Sequence, residues 1–113
     1  MWLFCKSGYF SAVKHNTKPN TILLRARVEG DLERLAEAHE MDLRIKHTPA
    51  ADYAFRAELP AAEWTRVVME ESDAIDYGNF KSRVHDGSVR DEAYMGCWEA
   101  MVGAQEAQKG GLA

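Results

Sequence analysis

Cysteine is scarce in this chain: two residues, Cys5 and Cys97, out of 113. They lie far apart and outside any Cys-x-x-Cys spacing, which excludes a disulfide-stapled scaffold and a cysteine zinc site. Free thiols in a reducing compartment are the expectation, and with them a cytoplasmic location. The three prolines are scattered, so no proline-rich linker exists. The eight glycines fall outside any Gly-x-Gly-x-x-Gly or Gly-x4-Gly-Lys pattern, so no phosphate loop is expected. No apolar run approaches the ~18 residues of a membrane span. The opening "MWLFCKSGYF" has no basic leader and only five apolar residues before Lys6, which does not read as a signal peptide. Excess charge of one sign is also small. Fourteen Lys and Arg against eighteen Asp and Glu leave a net charge of -4. The molecule as a whole is therefore not a non-specific binder of nucleic acid or anionic membrane, although a local basic patch is compatible with that total.

What is present is one domain's worth of chain, 46% apolar and 28% charged, the composition of an ordinary globular protein. "MWLFC" is apolar at both parities, which suits a strand covered on both sides or central in a sheet. Ser7-Gly8 supplies a turn and "YFSAVKH" returns, so residues 1–15 read as a hairpin. After turn chemistry at Thr17–Asn20 comes "TILLRARV", residues 21–28, with Ile22, Leu24, Ala26 and Val28 on one parity and Arg25 and Arg27 on the other. Gly30 breaks the strand and Asp31 is placed to cap a helix over "DLERLAEAHE". "MDLRIKH" (41–47) and "YAFRAEL" (53–59) alternate again, the second with Tyr53, Phe55, Ala57 and Leu59 inward. Pro60 opens a helix over "AAEWTRVVMEESDAI". The connection that follows is anchored by Tyr77, Phe80 and Val84. A last helix runs from about Val89 to Gln108, and residues 109–113 form a tail.

The expected order is β-β-β-α-β-β-α-α. It is an α+β fold with an antiparallel sheet of about five strands and helices on one face. Strands three to five and the first two helices make a ferredoxin-like βαββα unit. The N-terminal hairpin is available for the vacant sheet position.

The chemistry-bearing residues narrow the function by elimination. His15, His39, His47 and His85 show no metal-ligand spacing, so no metal is assigned. His15 and His47, both at strand ends, would meet only across a particular register. No Gly-x-Ser-x-Gly elbow exists, both cysteines sit in apolar stripes, and no catalytic residue or cofactor is assigned. Charge segregation stands out instead. By parity the outward strand positions carry Lys14, Arg25, Arg27, Arg44, Lys46 and Arg56 against Asp42 and Glu58. The two covering helices and their ends carry nine acids, Asp31 and Glu33 among them, against Arg34 and Arg66. An acidic protein thus carries a basic sheet face, able to attract phosphates or acidic protein surfaces. Phe10, sharing Lys14's parity, adds an aromatic beside the cations. Solvated lysines and arginines guarding a sheet are the plain alternative.

Trp2, Trp64 and Trp98 read as core residues in so small a chain. The last helix has two apolar sides. One, with Tyr94, Cys97, Trp98 and Met101, should pack inward. The other, with Gly96, Ala100, Gly103 and Ala107, is a small-residue stripe suited to close helix approach, within the fold or in a homodimer.

The stretches "MWLFCKSGYFSAV", "LLRARVEGDLERL", "ADYAFR", "IDYGNFKSRV" and "AYMGCW" together resemble a family of small proteins encoded by bacteria and their phages. These open with Met-Trp, an apolar pair, a polar residue, Lys/Arg, x-Gly and an aromatic-x-Ser. The resemblance spans most of the chain and implies no catalytic activity. It matches at Met1, Trp2, Gly8, Ser11, Arg25, Arg27, Tyr53, Arg56, Asn79, Phe80, Lys81 and Trp98. Cys5 departs from it, standing where Thr is expected, which argues against a thiol function there.

The expectation is a small non-enzymatic binding or inhibitor protein of the phage or mobile-element type. It would occupy the surface of a host protein or ribonucleoprotein complex, with anti-CRISPR inhibitors as an analogy of size and charge. A single-strand nucleic-acid or nucleotide binder using the basic sheet face is the second reading. A small enzyme combining Ser11, Asn79 and Lys81 is the third.

Overall fold

The structure is a computed structural model that describes residues 1–76, 78 and 87–109. The chain divides into two compact units, Met1–Asp76 and Tyr77–Ala113. In the first, β1 (Trp2–Cys5) and β2 (Gly8–Lys14) form the N-terminal hairpin. β3 (Thr21–Ala26) follows, then α1 (Asp31–Ala38), β4 (Lys46–His47), β5 (Phe55–Pro60) and α2 (Ala61–Asp73). The five strands make one antiparallel sheet in the order β1-β2-β3-β5-β4. That order is the ferredoxin-like arrangement of β3, β5 and β4, with β2 in the fourth position beside β3. The vacancy is filled by the hairpin.

The core lies between one sheet face and the two helices. Phe10, Ala12, Leu24, Ala26, Ala57 and Leu59 come from the strands, Leu32 and Leu35 from α1, Trp64 and Val67 from α2. All six strand residues share one parity, as the two-residue period requires. β1 differs from expectation. It is an edge strand, and Trp2 is 71% exposed rather than core. Its alternate residues Leu3 and Cys5 face the helix side, opposite Phe10 and Gly8, while Trp2 and Phe4 stand opposite Ser11 and Tyr9 on the uncovered side. A strand apolar at both parities therefore marks an aromatic outer face here. β4 is shorter than the alternating segment that contains it. Across 41–46 burial still alternates, with Met41, Leu43 and Ile45 half-buried against the core and Asp42, Arg44 and Lys46 exposed, but only Lys46 and His47 join the ladder.

Asp31 is not the cap of α1. The cap is Gly30, in the left-handed region at φ 90°, and no side chain bonds there. Asp31 is the first helical residue, fully buried, and its carboxylate accepts the Tyr9 N–H at 3.2 Å and pairs with Arg34. The β1–β2 turn packs so closely on this group that a Cβ at Gly8 would fall 2.6 Å from Asp31 Oδ2. Arg34 completes the joint by donating from Nε to the Ser7 carbonyl at 3.0 Å. One buried carboxylate thus fastens α1 to the hairpin.

In the second unit, α3 (Val89–Ala107) is capped by Ser88, whose hydroxyl accepts the Asp91 N–H. Tyr94 is buried, but Cys97 is exposed, as are Trp98 at 62% and Met101 at 70%. The expected inward stripe is therefore mostly open. Met95, Trp98, Met101 and Val102, all exposed, fall at i, i+3, i+6 and i+7, so they share one apolar side of α3 that is left open. Gly96, Ala100, Gly103 and Ala107 are exposed too, and a Cβ at Gly96 or Gly103 would meet nothing within 4 Å. Tyr77, Asn79, Phe80, Lys81, Val84 and His85 lie outside the described residues.

Candidate functional site: the open sheet face

The register assembles the open face row by row. Directly opposed residues point the same way, so the pairs Trp2–Ser11, Ser11–Arg25, Arg25–Arg56 and Arg56–Lys46 form one row across all five strands. Neighbouring strands lie ~4.8 Å apart. Three cations therefore stand in successive strands. Arg25 and Arg56 face each other without an intervening carboxylate, an arrangement that is unfavourable in isolation. Arg25 donates from Nη2 to the Ser11 hydroxyl at 2.8 Å, and Ser11 is buried. Arg56 has weak partners, the Tyr53 carbonyl at 3.4 Å and an Asp52 oxygen at 3.9 Å. The Nε atoms of both arginines are buried and have no acceptor.

Beside this row is an aromatic group. Tyr9 packs against Trp2 with ring centroids 5.7 Å apart and against Phe4 at 5.4 Å, edge to face. The guanidinium carbons of Arg25 and Arg27 lie 4.4 and 4.3 Å from the centre of the Tyr53 ring. Such contacts hold flexible cations in place. Tyr53 is buried, but it is not in the core with Phe55. It precedes β5 in a bend where its N–H bonds the Asp52 carboxylate, and there the strand parity does not yet apply.

Two expected members of the face are elsewhere. Phe10 is completely buried in the core, and Lys14 shares its parity, opposite Ile22 on the helix side. Lys14 is exposed only because the strand ends there, and it borders the face at its rim. The aromatic among the cations is Tyr9, one residue earlier. The signal is present in β2, where Ser11 and Val13 share the parity of Tyr9 while Phe10 shares that of Ala12. Arg25, Arg27, Arg56, Lys46 and Arg44 keep the outward side, and Arg44 and Lys46 are exposed.

At the other end of the face lies a groove of about 850 Å³ between Val13 and Leu23 on one side and Arg44, Lys46 and Arg56 on the other. Glu58 also lines it, with one oxygen 3.0 Å from His15 Nε2 and the other bonded by Lys18. The Lys18 bond is the main cause of a Glu58 carboxyl held below the usual range. His15 does not meet His47, whose ring stacks on Phe55 at 4.6 Å on the helix side.

Away from this face, His39 is buried at the end of α1. Its Nδ1 and Nε2 lie 2.8 and 2.7 Å from carboxylate oxygens of Glu70 and Glu71. Arg66 bonds Glu63, Glu70 and the His39 carbonyl. Hydrogen bonds to His39 and then Arg66 hold the Glu70 carboxyl low. This cluster locks α1 to α2, and no sequence motif marks it.

Nothing among the described residues gathers three or more His, Cys, Asp or Glu in a metal-holding arrangement. No helix among them is long and apolar enough to cross a membrane. Cys5 is buried, and desolvation raises its thiol to about 11, the value of a packing group rather than a nucleophile. No family model, curated protein or solved structure matches the chain.

Proposed function

We propose that this chain is a non-enzymatic binding protein that covers a polyanionic partner with the open face of its sheet. The observation that carries the reading is the row Ser11–Arg25–Arg56–Lys46 ending at the exposed Trp2. Cations fixed on a flat sheet attract phosphate or carboxylate arrays, and their pre-ordering reduces the entropy lost on binding. A small acidic chain built round one such surface suits the inhibitor role of phage and mobile-element proteins, anti-CRISPR inhibitors included. In that role it would occupy the surface of a host protein or ribonucleoprotein complex.

Trp2 favours single-stranded nucleic acid, free or within such a complex, over a purely protein partner. An indole exposed beside Tyr9 offers a flat surface for an unpaired base, while the arginines follow the phosphates. Fluorescence anisotropy with labelled single-stranded RNA and DNA 20-mers at low salt tests this. Binding accompanied by quenching of tryptophan emission, and weakened several-fold by Trp2→Ala, is the expected result. Absence of binding to any strand at low salt overturns the nucleic-acid reading and leaves the acidic protein surface.

A further inference from the structure

We infer that the groove at the far end of the open face is a phosphomonoester site, in which Arg44, Lys46 and Arg56 hold the phosphate and Val13 and Leu23 support the uncharged body of the ligand. The inference rests on the open-face reading only in sharing Lys46 and Arg56 with it. The groove's volume of about 850 Å³ falls in the range of ~300–1,000 Å³ typical of small-molecule sites. The Trp2 end is a separate part of the face.

Charge is unbalanced in this concavity. The acids lining it are Asp42 and Glu58, and both oxygens of Glu58 are already engaged by His15 and Lys18. The side chains of Arg44 and Lys46 make no hydrogen bond or ion pair among the described residues, and that of Arg56 has only its two long contacts. Three cations line one wall against a single unengaged lining carboxylate, Asp42. Two of them are guanidiniums, whose forked donors match phosphate oxygens two at a time, and the third is a compact ammonium. A dianionic phosphate supplies the acceptors that the wall lacks. A phosphodiester has one negative charge fewer, so the convergence of three cations favours a terminal phosphate. Val13 and Leu23, side by side in the register, form an apolar floor opposite the cations. An inorganic ion would leave that floor uncovered, whereas an organic phosphate covers it.

The same phosphate chemistry is offered by free nucleoside monophosphates and by the 5′ end of a nucleic-acid strand, and titration calorimetry can separate them. The probes are adenosine 5′-monophosphate, adenosine, and one 12-mer oligonucleotide with and without a 5′-phosphate. At least tenfold tighter binding of the monophosphate than of adenosine is expected, as is at least tenfold weakening by Arg44→Ala/Lys46→Ala, with unchanged affinity in Trp2→Ala. Both substituted cations are exposed, so this variant folds, which its circular dichroism verifies. Preference for the 5′-phosphorylated 12-mer together with weak monophosphate binding identifies a strand end as the source. Equal binding of monophosphate and adenosine, or of the two 12-mers with no monophosphate binding, overturns the site. In the last case strand binding that depends on Trp2 still upholds the open-face reading. Monophosphate binding without affinity for the unphosphorylated strand does the reverse.

Discussion

Single residues on this chain divide into those that hold the fold and those left free, and sequence alone did not always separate them. Asp31 reads in sequence as a surface cap, one of nine acids on a helical side, yet it is the buried joint between hairpin and helix. Only the absence of a Cβ at Gly8 lets the turn approach it, a contact between residues far apart in sequence that no local pattern encodes. Removing the carboxylate by Asp31→Ala strands the Tyr9 N–H and the Arg34 guanidinium. Loss of about 2 kcal/mol in chemical denaturation is expected, the scale for removing a buried charged acceptor from its hydrogen-bond donors. The two cysteines behave oppositely. Cys97 is exposed, and Cys5 is both buried and raised to about 11. A thiol reagent such as dithiobis-nitrobenzoate at pH 8 should label one cysteine quickly and the second only after denaturant is added, and Cys97→Ser should abolish the fast phase. Fast labelling of both would contradict the burial of Cys5.

At the scale of elements, the periodic signals were legible and the ends and partners were not. The alternation in 21–28 and in 41–46 placed Leu24, Ile45 and three arginines on the correct sides, because a period of two leaves no freedom once one face is covered. Tyr53 was misplaced because parity has no meaning in the bend before β5. The joint of α1 to α2 through His39 was also invisible, since it depends on the helices' packing. That joint has a pH signature. The Glu70 carboxyl lies below its ordinary value of 4.5 in the folded chain, chiefly through the His39 bond and then Arg66. A depressed carboxyl contributes stability above its unfolded value, and the contribution is lost as pH falls through the folded one. Melting temperature should therefore fall from about pH 4.5 downward, and Glu70→Gln should flatten that fall. In α3 the open glycines predict the opposite of a packing defect. Gly103→Ala should raise helical stability by up to ~1 kcal/mol, because the glycine is replaced by a better helix former in open space. If the stripe instead joins two copies, Gly103→Leu should dissociate a dimer in sedimentation without lowering the melting temperature of the monomer.

For the whole molecule, the layout of charge is the property the sequence conveyed best, because parity and helix faces sort it before any contact is known. What it did not convey is which cations are free. Arg25 and Arg27 look like the natural pair to reverse, but both lie over the Tyr53 ring and Arg25 bonds the buried Ser11, so reversing them disturbs folding as well as binding. Arg44 and Lys46 are exposed, and no side-chain hydrogen bond or ion pair among the described residues engages them. They isolate the electrostatic contribution. Binding of a single strand releases about 0.7 counterion per phosphate neutralised, so the logarithm of affinity falls linearly with the logarithm of salt. Removing two contacting cations should lower the magnitude of that slope by about 1.4. The paired reversal Arg44→Glu/Lys46→Glu should do at least this while leaving the melting temperature within about 2 °C, since exposed charges contribute little to folding. Measured by anisotropy between 25 and 200 mM salt, an unchanged slope would show that phosphates do not reach this wall. A changed slope with unchanged stability would separate the face that binds from the face that folds.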